Sequence, residues 1–324
     1  MTSATSVVSI IIPAYHAEKT IGACLDGLLA QPAPGIDFEI LIIADDETAP
    51  VVRALAEPRG ARVLTPNHGA AAARNLGAQN ARGDILLFID GDCVPEANWI
   101  TAMLAPLNDP EIVGACGMKR THQRGIVPRY IQMEFDYRYD RERKLRDIDF
   151  IDSGTAAYRR DIFLKCGGFD TTLADAEDAE LSYHVAKEGY RMAFAEGAVV
   201  YHAHPDNLID YLRRKFVYAY WRSQVYARYP NKLLSDSRTP QTQKVQGVLA
   251  WLAVLAFIVS GFWRESIWLA LLILIAFALT TIPFIVGYTR RDWRVACLTP
   301  LFAGLAALCG GAGIALGMIR RRSR

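Results

Sequence analysis

Apolar runs of strand length alternate with stretches of helical spacing along the first ninety residues. Val7 to Ile12 reads as a strand ended by Pro13, and Ala17 to Leu29 as a helix with Ile21, Leu25, Leu28 and Leu29 on one stripe. Phe38 to Ile43 makes a second strand that empties into Ala44-Asp45-Asp46-Glu47, and Ala61 to Leu64 a short third. An alanine-rich helix over Gly69 to Asn80 carries Arg74 and Asn75, and Ile85 to Ile89 is a fourth strand. This order predicts an α/β domain, a mostly parallel sheet with helices on both faces, whose strand ends converge on a ligand crevice.

The pattern changes near residue 240. Beyond it charges nearly vanish, and Val248 to Trp263, Ile267 to Tyr288 and Val295 to Ile319 form three apolar stretches separated by Arg264-Glu265 and by residues 289–294. The second and third reach the ~18–20 residues needed to cross hydrocarbon, and the first is borderline. Just upstream, Leu208 to Tyr229 mixes Arg213, Arg214, Lys215, Arg222 and Arg228 with seven aromatic rings, a composition suited to a helix at headgroup level. The expected organisation is therefore a domain over 1–206, a basic aromatic helix and linker over 207–244, and transmembrane helices with a basic tail over 245–324.

Charge adds little. With 36 Lys+Arg against 34 Asp+Glu in 324 residues, the net charge of +2 gives no reason to expect nucleic acid as a partner. The six cysteines show neither metal-ligand spacing nor the density of a secreted framework, which fits a reducing compartment. Val7 to Ile12 is too short for a signal sequence and lacks a basic flank, so the first domain is expected on the cytoplasmic side of the cell (inner) membrane, anchored by a multi-pass region. If all three segments cross, Arg290, Arg291 and Arg294 fall inside and the tail from Arg320 to Arg324 outside, which strains the positive-inside rule at the tail.

Candidate chemistry centres on Asp90-Gly91-Asp92, placed where the fourth strand runs out. Alternate residues of an extended segment point the same way, so both carboxylates emerge together as hard ligands for Mg²⁺ or Mn²⁺ carried in with a diphosphate. No Gly-x-Gly-x-x-Gly follows the first strand and no phosphate-loop signature occurs, which removes the main support for dinucleotide dehydrogenases and phosphate-loop ATPases. Residues 120–146 form either a helix or a mobile acceptor loop. Glu177, Asp178 and Glu180 open a later helix, where charge compensation of the helix dipole is the plain explanation.

Taken in order, "VSIIIPAYHAEKTIGACLDGLL", "FEILIIADDET", "HGAAAARNLGAQNARGDILLFIDGDC", "SGTAAYRRDIFLKCGGFD" and "AEDAELSYHVAKEGYR" resemble the family-2 glycosyltransferases of the GT-A fold over roughly residues 7–204. The resemblance implies inverting transfer of a sugar from a nucleotide-diphosphate sugar donor, with a divalent cation as cofactor. It places Pro13, Ala14 and Tyr15 along the nucleobase and ribose. Asp45 falls on the second acid of the family's Asp-Asp pair, with Ala44 replacing the first, and Asp46-Glu47-Thr48 departs from the usual Gly-Ser-Thr, which leaves the nucleobase open. Arg74 would approach the nucleotide, Asp90 the ribose and metal, and Asp92 the metal directly. Asp178 would be the general base, while Glu177 and Glu180 are read as structural or helix-start charges. His202 is a candidate third metal ligand, with His204 its competitor.

The region after residue 206 resembles the extension of membrane-attached family-2 enzymes of exopolysaccharide and cell-envelope synthesis. A lipid-linked saccharide or polyprenyl phosphate is the acceptor this implies, with membrane lipids around the spans. The Gln-x-x-Arg-Trp signature of processive synthases is not found, which favours transfer of one sugar. Two rivals stand beside this reading. One is a processive synthase, which with three short spans would need an oligomer to build a channel; the other is a non-catalytic subunit that binds nucleotide sugar.

Overall fold

A computed structural model describes residues 7–66 and 68–322. The chain forms two compact units, one from residues 1–122 and 142–203, the other from 123–141 and 204–324. Segment 123–141 thus leaves the first domain expected over 1–206 and packs with the C-terminal helices.

In the first unit the chain runs β1 (Val8–Ala14), α1 (Ile21–Leu29), β2 (Phe38–Ala44), α2 (Ala49–Ala56), β3 (Arg62–Leu64), α3 (Ala70–Asn80), β4 (Ile85–Ile89), β5 (Val94–Pro95), α4 (Trp99–Leu104) and β6 (Ile112–Arg120). After α5 (Ile126–Glu142) it returns through β7 (Thr155–Arg159), α6 (Arg160–Lys165), α7 (Glu177–Lys187) and β8 (Arg191–Tyr201). One eight-stranded sheet results, in the order β3-β2-β1-β4-β7-β6-β8-β5. Strands β3, β2, β1 and β4 are parallel, as their apolar runs predict; β7 is antiparallel to both β4 and β6, and β5 to β8, so the sheet is mixed.

Side-chain alternation explains the two covered faces. Ile10 and Ile12 of β1 pack with Ile21, Leu25 and Leu28 of α1 on one face, while Ile11 joins Leu41, Phe88 and Phe163 on the other. All of these side chains are fully buried, each worth about 1.5–3 kcal/mol against exposure. Helix α1 begins at Ile21 rather than near Ala17, because residues 17–20 form a turn in which Ala17 O accepts from the amides of Thr20 and Ile21.

The second unit contains α5, α8 (Leu208–Arg228), α9 (Pro230–Leu234), α10 (Gln241–Val259), α11 (Ser266–Ala296) and α12 (Thr299–Arg322). Residues 120–146, left open as helix or loop, therefore contain a helix of 17 residues. Among the described residues, three helices are long and apolar enough to cross a membrane: Gln241–Val259, Ser266–Ala296 and Thr299–Arg320. Residues 289–294, expected as a loop, extend α11, with a single break at Asp292 (φ −158°, ψ 96°). Ion pairs tie this segment to α5: Arg291 pairs with Asp140 at 2.8 Å and Asp136 at 3.5 Å, and Arg129 of α5 pairs with Asp292. Of the basic tail, Arg324 and the side chains of Arg321 and Arg322 lie outside the described residues.

Helix α12 meets α8 through glycines. A Cβ at Gly313 would collide with Phe216 O and sit 3.1 Å from Tyr220 N, and one at Gly317 would meet the Ser223 hydroxyl and lie 2.7 Å from Tyr220 O. Such small-residue seams let two backbones touch, the packing favoured where lipid offers no hydrophobic drive.

Candidate active site

Strand β4 ends at Ile89, and the next three residues turn sharply. Gly91 fits closely at that turn: a Cβ there would lie 3.3 Å from Pro13 O of β1 and from Ala17 Cβ just beyond it. On either side, Asp90 is tied inward and Asp92 stands outward, its side chain about half exposed. Asp92 Oδ2 is 3.4 Å from Nε2 of His202, which β8 brings back beside the β4 turn. Burial by itself would raise the Asp92 carboxyl, but the His202 hydrogen bond and charge, with Lys119, outweigh it and hold it down at about 2.

Asp90 sits between two buried cations. Its Oδ1 is 2.6 Å from the Arg74 guanidinium and its Oδ2 3.4 Å from Lys119 Nζ, while Lys119 also pairs with Asp152 at 2.8 Å. Burial pushes the Asp90 carboxyl up and these two cations overcome it, so it stays ionised below the usual range. The turn after residue 152 is shaped around the pair. A Cβ at Gly154 would overlap Asp90 Oδ2 and Lys119 Nζ and lie 2.8 Å from Lys119 Cε.

Arg74 joins this strand end to the start of α7. It donates to Asp90 through one amino group and, through the other, to Glu177 Oε1 at 2.9 Å, which also accepts from Ser153 Oγ at 3.4 Å. Burial works against the Arg74 charge, yet Asp90, Glu177 and then Asp178 raise it. Asp178 is therefore within electrostatic reach of the same guanidinium. Its Oδ1 accepts from the Ala179 amide at 2.7 Å, and the turn that presents it begins at Ala176 with φ 65°.

Arg74 is only 4% exposed and has both amino groups committed to carboxylates, so it links the end of β4 to the start of α7. Glu177 takes the structural role of its two readings: it is buried and forms the other arm of that link, accepting from the second amino group of the guanidinium. Lys119 and Asp152 complete the site with Gly154 of the SGTAAY segment; a lysine next to the last residue of a strand reads as a solvated edge.

The other expected residues take separate places. Pro13 and Ala14 close β1, and Tyr15, 66% exposed, follows with its ring 4.2 Å from that of His16. Asp45 is engaged locally: its carboxylate accepts from the Thr48 hydroxyl at 2.6 Å, the Thr48 amide at 2.9 Å and the His16 amide at 3.2 Å. Burial would raise it, and those hydrogen bonds bring it down to about 2. His204 belongs to the second unit, stacked on Phe135 and 3.1 Å from Gln132 Oε1, which leaves His202 as the imidazole at Asp92.

The donor set suits a hard divalent cation. Ligand atoms of Asp90, Asp92 and Cys93 lie within 4.8 Å of one another, with His202 beside Asp92. The Cys93 thiol is pushed up by burial and remains protonated, so the useful donors are two carboxylates and an imidazole. Because Arg74 and Lys119 already occupy Asp90, Asp92 is the more open of the two.

Known proteins resemble this chain along most of its length. Residues 9–167 match the model of glycosyl transferase family 2, and residues 150–307 that of glycosyl transferase family group 2. The chain belongs to the family-2 glycosyltransferases. It is 26% identical over 216 residues to glycosyltransferase AglE of Haloferax volcanii, covering 62% of this chain and 68% of that protein. To the O-antigen chain rhamnosyltransferase RfbN of Salmonella typhimurium it is 26% identical over 211 residues, covering 61% and 66%. The matches thus span about two thirds of these curated relatives. The solved mannosyltransferase PcManGT of Pyrobaculum calidifontis, in complex with GDP-Man and Mn²⁺, superposes with a TM-score of 0.58 at 21% identity, over 93% of this chain and 86% of that one. The fold is GT-A, and the chain is a glycosyltransferase.

Proposed function

We infer that this glycosyltransferase moves one sugar from a nucleotide-diphosphate sugar to a lipid-linked acceptor at the cytoplasmic face of a membrane, by single displacement with inversion. The observation that carries the reading is the Asp90–Arg74–Glu177 fork, which ties the metal-binding turn after β4 to the helix start that bears Asp178.

In this reading Asp92, His202 and Asp90 hold a divalent cation, which when bound offsets the charge that develops on the leaving diphosphate. PcManGT, the structural neighbour with Mn²⁺ and GDP-Man, favours that choice of partners. Asp178 accepts the proton of the acceptor hydroxyl as its oxygen bonds to the anomeric carbon and the bond to the diphosphate breaks. With no enzyme nucleophile between donor and acceptor, configuration inverts. Tyr15 offers an exposed ring for a nucleobase. Membrane attachment is favoured by the three apolar helices and their exposed Phe257, Trp268, Leu272 and Ile275. The arginines of residues 290–294 mark the cytoplasmic end of α11.

The test is a pair of variants, assayed against a panel of nucleotide sugars with Mn²⁺. Asp178→Asn is expected to abolish transfer while leaving donor binding nearly intact, and Asp92→Ala to weaken metal-dependent donor binding. Full transfer by Asp178→Asn would remove the base. A ladder of products in place of one added sugar would favour the processive rival.

A further inference from the structure

Asn75 stands next to Arg74 on α3, and its side chain grips one peptide of a distant segment by both of its polar groups. The Asn75 amide nitrogen donates to Phe169 O at 2.7 Å, and its Oδ1 accepts from the Phe169 amide at 2.9 Å. A carboxamide supplies a donor and an acceptor together, a pair that neither an ionised aspartate nor a leucine can offer. The Phe169 ring is held as well. It is 2% exposed, lies 5.5 Å from the ring of Phe88 and 5.3 Å from that of Phe163, and has the Arg74 guanidinium over it at 5.7 Å.

The chain on either side of Phe169 is shaped to this grip. Helix α6 ends in Gly167 and Gly168, at φ 85° and 69°, with the Gly168 amide donating to Phe163 O at 3.0 Å. A Cβ at Gly168 would lie 2.6 Å from Asn75 Oδ1, so the glycine and the carboxamide fit each other closely. Beyond Phe169 the segment has little slack. Asp170 Oδ1 accepts from the amide and the hydroxyl of Thr172 at 2.8 and 2.7 Å, and Asp170 O from the amide of the buried Leu173 at 3.2 Å. Asp175 then accepts from the Ala176 amide at 2.7 Å, and Glu177 meets the Arg74 guanidinium at 2.9 Å. Two adjacent residues of α3 thus hold the two ends of segment 169–177, and Asp178 is the next residue along the chain.

We propose that Asn75 is a positioning residue for the proton acceptor: by fixing the Phe169 peptide it sets where the chain enters α7, and so where the Asp178 carboxylate stands toward the acceptor hydroxyl. Arg74 fixes the far end of the segment alone, and a segment pinned at one end can tilt about it. The proposal deepens the catalytic reading and rests on Asp178 as the base. Proton transfer in the displacement step needs hydrogen-bond reach, so a shift of about 1 Å at that carboxylate costs about 10²-fold in turnover. The donor side is carried by other segments, with Tyr15 after β1, Asp92 after β4 and His202 after β8, so its affinity does not depend on Asn75.

The experiment uses the full chain in detergent. Release of nucleoside diphosphate from the preferred nucleotide sugar over total membrane lipid gives kcat, and calorimetric titration with UDP or GDP and Mn²⁺ gives the affinity and the number of competent sites. Asn75→Ala is expected to lower kcat per competent site about 10²-fold and to leave nucleotide affinity within about twofold of the wild type. Gly168→Ala should reproduce the loss by pushing against Asn75 Oδ1; added to Asn75→Ala it should cost at most about twofold more, because the atom it strikes is gone. Unchanged kcat per competent site in Asn75→Ala, with only fewer sites or a lower melting temperature, would make the contact merely structural and overturn the proposal. Equal weakening of nucleotide binding would overturn it too, as would additive losses in the double variant, since Gly168 would then act through its own backbone. Asp178→Asn separates the two readings. Lost transfer in that variant beside full turnover in Asn75→Ala overturns the positioning role alone, whereas full transfer in Asp178→Asn overturns the base and the proposal with it.

Discussion

Gly154→Ala tests the site with the smallest possible perturbation. Real Cβ atoms essentially never approach another heavy atom closer than 3.0 Å, and here the new carbon would fall well inside that limit from Asp90 Oδ2 and Lys119 Nζ. Both are side-chain ends, so the fold can survive by moving them, and the Asp90 oxygen must retreat by roughly 1 Å. A misplacement of that size is expected to cost about 10²-fold in turnover, on the order of 2.7 kcal/mol in activation free energy. Helix α3 and the sheet need not shift, so melting should change little. The assay is kcat/KM for release of nucleoside diphosphate from the preferred donor, alongside a thermal melt. Gly91→Ala, whose Cβ would be 3.3 Å from its neighbours, is the milder comparison. Wild-type kcat/KM in Gly154→Ala would refute the argument that the Asp90–Lys119 spacing sets activity.

Arg74→Met should strand two carboxylates, Asp90 and the buried Glu177, and lower stability by about 3–5 kcal/mol; an unchanged melting temperature would show that the link is not structural. Asp45 is held at about 2, below its ordinary value, so the stability it gives is fully present above about pH 4 and fades as pH falls toward 2. Asp45→Asn should flatten that part of the acid melting profile and leave the neutral range without this slope. Gly317→Leu should drive a side chain into the Ser223 hydroxyl and the Tyr220 carbonyl of α8, destabilising the second unit by about 1–3 kcal/mol, read as faster proteolysis in detergent.

Much of the first unit is written in its local pattern. Strands β1 to β4 appear as apolar runs because their neighbours bury both faces, and Asp90-Gly91-Asp92 stands out because it closes such a run. The antiparallel insertion of β7 between β4 and β6 is not legible, since strand order depends on pairings between residues as far apart as Ile85 and Arg159. Lys119 was hidden for a related reason. It looks like an ordinary surface charge until Asp90 and Asp152, supplied by other segments, enclose it. In the second unit the apolar spans announce themselves, while the partners of Arg291 and Asp292 come from α5, about 150 residues earlier in the chain.

That interleaving bears on how a soluble fragment could be made. Tyr130, Ile131 and Met133 of α5 are buried among Tyr211, Phe284, Tyr288 and Phe302, yet they are encoded in the middle of the sheet domain. A cut at residue 206 would strip away their partners and leave a greasy helix on the product, prone to clump. A cleaner excision would also replace residues 123–141 with a short polar bridge.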